Sequence, residues 1–300
     1  MKATAEVLSP PRLAIRARLA DFAELVKARL TLLVLLTTFV GFYLGSPASV
    51  DGWKLAHVLA GTALLAAGAA TLNQLWERDR DARMVRTRRR PLPAGRIEPA
   101  TALRFGLACG VVGLVWLGVA AGPWTAFVGG ATLLSYLLIY TPLKTVTVWN
   151  TLIGAIPGAL PPVIGWIAAR DEMGWGGWLL FGLQFLWQIP HFLAIAWMYR
   201  EDYARGGYAM LPVVDPTGRS TARHSGVAAA LLLVAAMMAV PAGLAGPVGG
   251  AILLALTAAF LVLSLRFGRT LADREARCLF FGSILYLPAL LVLLVLDRMI

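Results

Sequence analysis

Residues 73–95 read NQLWERDRDARMVRTRRRPLPAG and gather three acids, two amides and seven arginines at the end of an apolar stretch, residues 55–76. Asn73, Glu77 and Asp81 are spaced four residues apart. In a helix this spacing stacks them on one face over roughly 12 Å, at about 1.5 Å per residue. Like charges four residues apart destabilise a helix. The arrangement of the acids therefore needs a reason other than helix stability.

The composition of the whole chain is typical of an integral membrane protein. Hydrophobic residues make up 59% of its 300 residues and charged residues only 14%, with a mean hydropathy of +0.73. Soluble domains are closer to half apolar and a quarter charged. The net charge of +11 does not indicate nucleic-acid binding, because Lys and Arg alternate with apolar stretches. Two isolated cysteines, Cys109 and Cys278, exclude a disulfide framework and a thiolate metal site.

Nine apolar stretches are long enough to cross a hydrocarbon layer of roughly 30 Å. They are residues 30–46, 55–76, 103–121, 124–143, 147–168, 177–199, 225–245, 248–265 and 279–296. The sequence therefore predicts an all-α, polytopic membrane helix bundle of about nine transmembrane helices around a central cavity open to the cytoplasmic side. We expect residues 1–29 to form a cytoplasmic basic segment and residues 30–300 a single transmembrane domain.

The positions of the basic residues predict the orientation of the chain, because short loops rich in Lys and Arg stay cytoplasmic. With the N-terminus inside, only Lys54, Arg170 and Arg298 fall outside. We therefore expect an inner-membrane protein with a cytoplasmic N-terminus and an external C-terminus. Two long loops, residues 77–102 and 200–224, fall on the cytoplasmic side. Each begins with acids and contains a Leu-Pro pair, which predicts a four-helix pseudo-repeat with a ninth helix left over.

The acids after residue 76 have two explanations. A solvated helix end that is salt-bridged to nearby arginines accounts for their spacing. A divalent-cation site accounts for it too, since Mg²⁺ prefers one or two carboxylates with phosphates and water completing its octahedron, and guanidinium groups bind phosphate bidentately. A second acidic helix end, Glu201 and Asp202, is predicted on the same side. Two such ends favour a diphosphate site that contains Mg²⁺.

Two other classes of membrane protein fit the pattern less well. A transporter is expected to carry its acids near the membrane midplane, whereas these acids lie at helix ends. A CDP-alcohol phosphotransferase is expected to have glycines inside its acidic motif, and residues 73–81 contain none.

The opening stretch resembles the first motif of the UbiA-type intramembrane prenyltransferases. The resemblance lies in Asn73, Glu77, Asp81, Met84, Arg86-Thr87 and Arg90-Pro91-Leu92-Pro93-x-Gly95. It implies that the acids bind Mg²⁺ and, through Mg²⁺, an isoprenoid diphosphate. It extends over the whole chain, since the number of spans and both long loops match the family.

A second stretch, Trp187-Gln188-Ile189-Pro190-His191-Phe192, lies inside the sixth span, where polar groups are costly and are candidates for function. Taken alone, His191 has a structural explanation as a hydrogen-bonded residue. Together with other motifs, the stretch resembles the branch of the family that farnesylates haem. Those motifs are Tyr140-Thr141-Pro142-Leu143-Lys144, Asn150, Gly154-x-x-x-Gly158, Pro161-Pro162, Asp202-Tyr203, Gly206-Gly207 and Met210-Leu211-Pro212.

This resemblance implies an enzyme that transfers farnesyl from farnesyl diphosphate to the vinyl group of haem B, with addition of water, giving haem O and diphosphate. The alternative is a polyprenyltransferase that acts on an aromatic acid or quinone precursor. Mg²⁺ is the implied cofactor, and haem B is a substrate rather than a permanent cofactor. The implied partners are farnesyl diphosphate, haem B and the lipid bilayer, with no nucleic acid; partners in haem handling or oxidase assembly stay open.

The resemblance also implies residue roles. It assigns metal binding and catalysis to Asn73, Glu77, Asp81 and Asp202. Gly206 follows Asp202 where many relatives that prenylate quinone precursors carry a second acid, so one or two Mg²⁺ ions are both open. His191 is expected to ligate or hydrogen-bond haem, and Lys144 or Arg200 to pair with its propionates. The substrate-binding candidates are Arg78, Arg86, Arg90, Lys144, Asn150, Gln188, His191, Arg200 and Tyr203.

Overall fold

The structure is a computed structural model that describes residues 11–47 and 49–299. Residues 1–10 of the predicted basic N-terminal segment lie outside the described residues. The helices are α1 (Pro11–Leu25), α2 (Ala28–Gly45), α3 (Gly52–Asp81), α4 (Pro99–Ala121), α5 (Pro123–Leu134), α6 (Thr141–Leu143), α7 (Asn150–Ala159), α8 (Pro161–Arg170), α9 (Trp175–Met198), α10 (Arg200–Arg205), α11 (Leu211–Val214), α12 (Arg219–Met237), α13 (Pro247–Thr270) and α14 (Asp273–Met299). A π-helical segment, Ser135–Tyr140, joins α5 to α6.

Within the described ranges, nine helical segments have the length and apolar composition needed to cross a membrane. Seven of them are single helices: α2, α3, α4, α9, α12, α13 and α14. The fourth span combines α5, the π-helical segment and α6, and the fifth combines α7 and α8. The predicted all-α architecture with nine spans is confirmed.

The ends of several spans differ from the predicted ones. Helix α3 has 30 residues and is about 45 Å long, so it exceeds a hydrocarbon layer of roughly 30 Å. The predicted seventh span, residues 225–245, is wrong at both ends, since α12 is Arg219–Met237. Residues 238–245 form turns instead. Pro241 cannot donate in a helix interior, and Gly243 has a left-handed backbone (φ 69°).

Helices α2 and α8 lie in backbone contact because small residues face each other between them. A Cβ atom added to Gly41 would lie 1.9 Å from the backbone oxygen of Pro162. One added to Gly165 would lie 2.0 Å from the backbone oxygen of Thr38. This is the close packing that small residues allow between membrane helices. It brings the first span against the fifth and fixes two walls of the interior.

The long loops follow α3 and α9, as the pseudo-repeat predicts, and the two helices pack in similar ways. Helix α3 packs on α4, and α9 packs on α12. Helix α14 packs on α9 and α13. Helices α9, α12, α13 and α14 share one apolar core, which includes Leu183, Leu232, Phe260 and Leu287. The ninth span therefore completes the half of the bundle that holds α9.

Replacing Gly165 with alanine should destabilise the protein, because the new Cβ atom would collide with the backbone of α2. Overpacking of this kind costs about 1–3 kcal/mol, so the thermal unfolding temperature in detergent should fall. Gly182→Ala is the matched control: no atom lies within 4 Å of a Cβ atom added there, and alanine is favoured over glycine in a helix by about 1 kcal/mol. Equal unfolding temperatures for the two variants would contradict the close packing of α2 on α8.

Candidate functional site

One cavity of about 390 Å³ lies among α2, α3, the π-helical segment, α7 and α9. Its α3 wall extends from Thr62 to Asp81, roughly 28 Å along the helix at about 1.5 Å per residue. Leu65, Ala66, Ala69 and Ala70 form the apolar middle of this wall, and the acids lie at the end where α3 stops. The α3 residues that line it are Thr62, Leu65, Ala66, Ala69, Ala70, Asn73, Glu77 and Asp81. The cavity thus has a polar end, at Asn73, Glu77 and Asp81, and an apolar body.

The acids of the polar end are buried and paired with cations. Glu77 is 5% exposed and Asp81 is 1% exposed. Lys144 Nζ donates to Glu77 Oε1 at 2.7 Å, and Arg90 Nη1 donates to Asp81 Oδ2 at 2.7 Å. A carboxylate removed from water needs such compensation. The alternative of a solvated helix end is therefore excluded for these two residues.

Asn73 is held by a network that includes Lys27, which the sequence analysis missed. Asn73 Oδ1 accepts hydrogen bonds from Lys27 Nζ and from the Tyr136 hydroxyl, both at 3.1 Å. Its Nδ2 donates to Thr141 Oγ1 at 3.1 Å. The amide is therefore oriented with its oxygen towards Lys27 and Tyr136.

Lys27 has two unusual properties. It adopts a left-handed backbone (φ 50°, ψ 52°) between α1 and α2, and strained residues of this kind cluster at functional sites. Burial, together with repulsion from Arg90 and Lys144, lowers the pKa of Lys27 to about 7. A bound anion would favour its charged form. In the sequence Lys27 is one of several basic residues ahead of the first span, and nothing there distinguishes it from a topology signal.

The polar end offers oxygen donors that suit Mg²⁺: two carboxylates and one amide oxygen. Among residues 11–47 and 49–299, no group of three or more His, Cys, Asp or Glu side chains is arranged to hold a metal by itself. Water and phosphate oxygens would therefore have to complete the octahedron, as Mg²⁺ commonly requires. Four cations line the same end, namely Lys27, Arg86, Arg90 and Lys144. The donor set fits a Mg²⁺–diphosphate complex.

Asp202, predicted as a fourth metal ligand, lies outside the cavity lining. Its carboxylate accepts the backbone N–H groups of Val85 at 3.0 Å and Arg86 at 3.1 Å, and it is also hydrogen-bonded by Arg205. Burial by itself raises the pKa of Asp202, but these hydrogen bonds lower it below its ordinary value. The ionised carboxylate therefore fastens the α3–α4 loop to the segment that follows α9.

This connection places Arg86 at the cavity. The Arg86 guanidinium lies 4.8 Å from the centre of the Tyr199 ring, and its Nη2 donates to the Tyr203 hydroxyl at 3.2 Å. Arg86 and Tyr203 both line the cavity. Both long loops thus contribute residues to the cavity lining, although the acids of the second loop are not among them.

Three other predicted substrate-binding residues do not line the cavity. Arg78 pairs with Asp79 at 3.3 Å on an exposed surface. Arg200 pairs with Asp273 at 2.9 Å. Asn150 is buried and donates to the backbone oxygen of Ala209 at 2.8 Å. It thereby holds the chain beside Tyr208 and Met210, which do line the cavity.

Tyr208 is a further residue that the sequence analysis missed. It is 4% exposed and lines the cavity. Its buried hydroxyl has no hydrogen-bond partner among the described residues. A buried polar atom without a partner calls for an explanation, and a ligand at the polar end would provide one.

Gln188 and His191 line the cavity on α9. Gln188 Nε2 donates to the backbone oxygens of Ala155 at 3.1 Å and Gln184 at 3.0 Å. Gly158 leaves room for the Gln188 side chain, since a Cβ atom added to Gly158 would lie 2.0 Å from Gln188 Oε1. Nδ1 of His191 lies 2.6 Å from the Ser283 hydroxyl oxygen. The α9 side of the cavity is therefore polar but contains no acid among the residues described.

Sequence comparisons give concordant results. The profile of the UbiA prenyltransferase family matches residues 34–286. The chain is 44% identical over 291 residues to protoheme IX farnesyltransferase of Solibacter usitatus, covering 93% of this chain and 98% of that protein. It is 45% identical over 279 residues to the protein of that name in Salinibacter ruber, covering 92% of this chain and 98% of that protein.

Two solved structures resemble the fold at low sequence identity. A digeranylgeranylglyceryl phosphate synthase has a TM-score of 0.78 at 16% identity, over 94% of this chain and 98% of that one. A UbiA homologue from Archaeoglobus fulgidus bound to GPP and Mg²⁺ has a TM-score of 0.63 at 17% identity, over 91% of this chain and 99% of that one. At these identities the likeness concerns the fold alone.

Replacing Asp202 with alanine should release the α3–α4 loop. Hydrogen bonds to charged groups contribute about 1.5–3 kcal/mol, so backbone amide exchange at Val85 and Arg86 should accelerate by about ten-fold or more. Hydrogen–deuterium exchange with mass spectrometry measures this directly. Glu201→Ala is the matched control, because Glu201 is exposed and makes no side-chain hydrogen bond to a described residue. Unchanged exchange in Asp202→Ala would refute the fastening role.

Proposed function

This chain belongs to the UbiA prenyltransferase family, and we propose that it transfers farnesyl from farnesyl diphosphate to a vinyl group of haem B. Water is added in the reaction, and the products are haem O and diphosphate. The observation that carries the proposal is that one cavity joins the acid and cation cluster at the end of α3 to Gln188 and His191 on α9. Relatives named protoheme IX farnesyltransferase that match 92–93% of the chain support the choice of acceptor.

The first step is binding of the diphosphate at the polar end. We assign Asn73, Glu77 and Asp81 to hold Mg²⁺, which would neutralise charge on the leaving diphosphate. Lys27, Arg86, Arg90 and Lys144 are assigned to donate hydrogen bonds to its oxygens. Arg90 and Lys144 are already fixed by the two carboxylates. Donors fixed in advance need no rearrangement as charge develops in the transition state.

Asp202 has a different role in this proposal. Its oxygens already accept two backbone N–H groups and hydrogen bonds from Arg205. We therefore assign it to positioning of the α3–α4 loop, and with it Arg86, rather than to metal binding. One Mg²⁺ ion held from α3 is sufficient for this arrangement.

The apolar body of the cavity suits the farnesyl chain. Leu30 and Val34 of α2 and Leu65 of α3 line it. Loss of diphosphate leaves an allylic carbocation, which apolar walls would keep from premature contact with water. The rings of Tyr140 and Phe192 also line the cavity, and aromatic faces attract cations.

The acceptor is assigned to the α9 side. Gln188 and His191 provide polar contacts there, while Tyr203 bonds to Arg86 at the junction of the two long loops. Arg200 pairs with Asp273 and Lys144 with Glu77, so neither is assigned to the haem propionates. The alternative acceptor, an aromatic acid or quinone precursor, would use the same diphosphate end. The relatives named protoheme IX farnesyltransferase favour haem.

The distribution of Lys and Arg supports a location in the inner membrane with the N-terminus and both long loops in the cytoplasm. In that orientation the polar end of the cavity and the end of α3 face the cytoplasm, where diphosphate would be released. The C-terminus is assigned to the opposite side. Residues 30–300 are treated as one transmembrane domain in this proposal.

Purified protein in detergent should convert haem B to a farnesylated, hydrated product when supplied with farnesyl diphosphate and Mg²⁺, as read by mass. Removal of Mg²⁺ with a chelator should abolish the product. Glu77→Gln should lower the rate by about 10²–10³-fold, because an electrostatic stabiliser of the leaving group is lost.

Asp79→Asn is the matched control for Glu77→Gln, since Asp79 lies at the same helix end but pairs with Arg78 on an exposed surface. It should retain the wild-type rate. Prenylation of a quinone precursor with haem B left untouched would contradict the assigned acceptor. Absence of prenyl transfer to either acceptor would contradict the proposal as a whole.

A further inference from the structure

Ser283 of α14 contacts His191, the one histidine among the described residues that lines the cavity. Its hydroxyl oxygen lies 2.6 Å from His191 Nδ1 and 2.5 Å from the backbone oxygen of Phe280. A carbonyl oxygen only accepts hydrogen bonds, so the single hydroxyl proton of Ser283 is directed to Phe280. The contact with His191 is then an N–H group of the ring donating to Ser283. This fixes His191 as the tautomer that carries its proton on Nδ1.

The other ring nitrogen, Nε2, is consequently a free acceptor. His191 lines the cavity, and Nε2 makes no hydrogen bond to a residue in the described ranges. The His191 side chain is half-buried. His57 and His224 do not line this cavity. The lone pair of His191 is therefore the imidazole acceptor available to a ligand there.

Neighbouring rings hold the imidazole in place. Trp187 and Phe280 lie nearly parallel to it, with ring centres at 5.2 and 5.3 Å and interplanar angles of 18° and 21°. Trp187 Nε1 also donates to the backbone oxygen of Ser283 at 3.0 Å. Helices α9 and α14 are thus connected at Ser283 by two hydrogen bonds, and one of them sets the tautomer of His191.

We propose that Ser283 is a positioning residue for the haem acceptor: its hydroxyl holds His191 so that the Nε2 lone pair coordinates the iron of haem B. The inference rests on the proposed function. Histidines that bind metals in proteins generally donate their other N–H group to an oxygen acceptor, which fixes the tautomer and raises the basicity of the ligand. Ser283 provides that acceptor before haem arrives.

A single axial histidine suits a substrate. It orients the porphyrin, and hence the vinyl group, towards the farnesyl chain and still permits release of the product, because no second histidine lines the cavity among the residues that the structure describes. A different role for the same lone pair would be to accept a proton from the water that completes the reaction. Spectroscopy of bound haem distinguishes these roles.

The test uses the purified full-length protein with haem B and without farnesyl diphosphate, reduced to the ferrous state. Resonance Raman spectroscopy should show an iron–histidine stretching band that is absent in His191→Ala. In Ser283→Ala the band should shift to lower frequency, and haem affinity should fall by about 10–100-fold. Ser283→Thr, which keeps the hydroxyl, should restore the band. If Ser283→Ala does not fold, Ser283→Cys replaces it in the test. The cysteine thiol is a weaker acceptor than the hydroxyl, so this variant should also shift the band to lower frequency.

Ser264→Ala is the matched control. Ser264 is also fully buried, and its hydroxyl lies 2.7 Å from Ser225 Oγ. Neither serine lines the cavity. Ser264→Ala should leave the band and the haem affinity unchanged. A wild-type band and affinity in both Ser283→Ala and Ser283→Cys would overturn the positioning role.

The farnesyl-transfer assay on the same wild-type preparation separates the two proposals. Bound haem without a histidine band, in a preparation that farnesylates haem, would overturn the inference and leave the proposed function intact. Failure of wild-type protein to farnesylate haem would instead contradict the proposed function, whatever the spectrum shows.

Discussion

Two buried carboxylates at the end of α3 impose the constraint on which the rest of the site depends. Glu77 and Asp81 are almost inaccessible to water, and an unpaired charge in that position would be prohibitively costly. Lys144 reaches Glu77 from the end of the fourth span, and Arg90 reaches Asp81 from the α3–α4 loop. The fold must bring these three elements together before the helix end can be buried. Once it does, a concentrated set of fixed charges faces the cavity.

Two carboxylates and four cations line the polar end, so it is net positive without a ligand and suited to take up an anion together with a divalent cation. Lys27 and Tyr136 orient the Asn73 oxygen towards the same space. Mg²⁺ would add positive charge to the acids while a diphosphate adds negative charge to the cations. The charges of Mg²⁺ and the diphosphate therefore largely offset each other once both are bound, although the individual interactions are strong. The hydroxyl of Tyr208 completes the set of buried polar atoms near the diphosphate end.

Hydropathy and the distribution of basic residues were enough to predict nine spans, because each span must by itself be long and apolar enough to cross the membrane. The spacing of Asn73, Glu77 and Asp81 likewise predicts that they share one helix face. The hydrogen-bond and ion-pair partners of those residues could not be predicted. Lys144 and Glu77 are 67 positions apart in sequence, and Lys27 and Asn73 are 46 apart. Asp202 shows the same limit: its residue type matched a metal ligand, but its oxygens face the backbone of Val85 and Arg86.

The central claim is that the donor and the acceptor occupy opposite ends of one cavity at the same time. A titration of haem B into protein saturated with Mg²⁺ and farnesyl thiodiphosphate, an unreactive analogue of the donor, tests this claim most directly. The account predicts that haem B binds to the loaded protein at least as tightly as to the unloaded protein, forming a ternary complex. Displacement of the farnesyl analogue by haem B would contradict it, because substrates that exclude each other cannot react in a shared cavity.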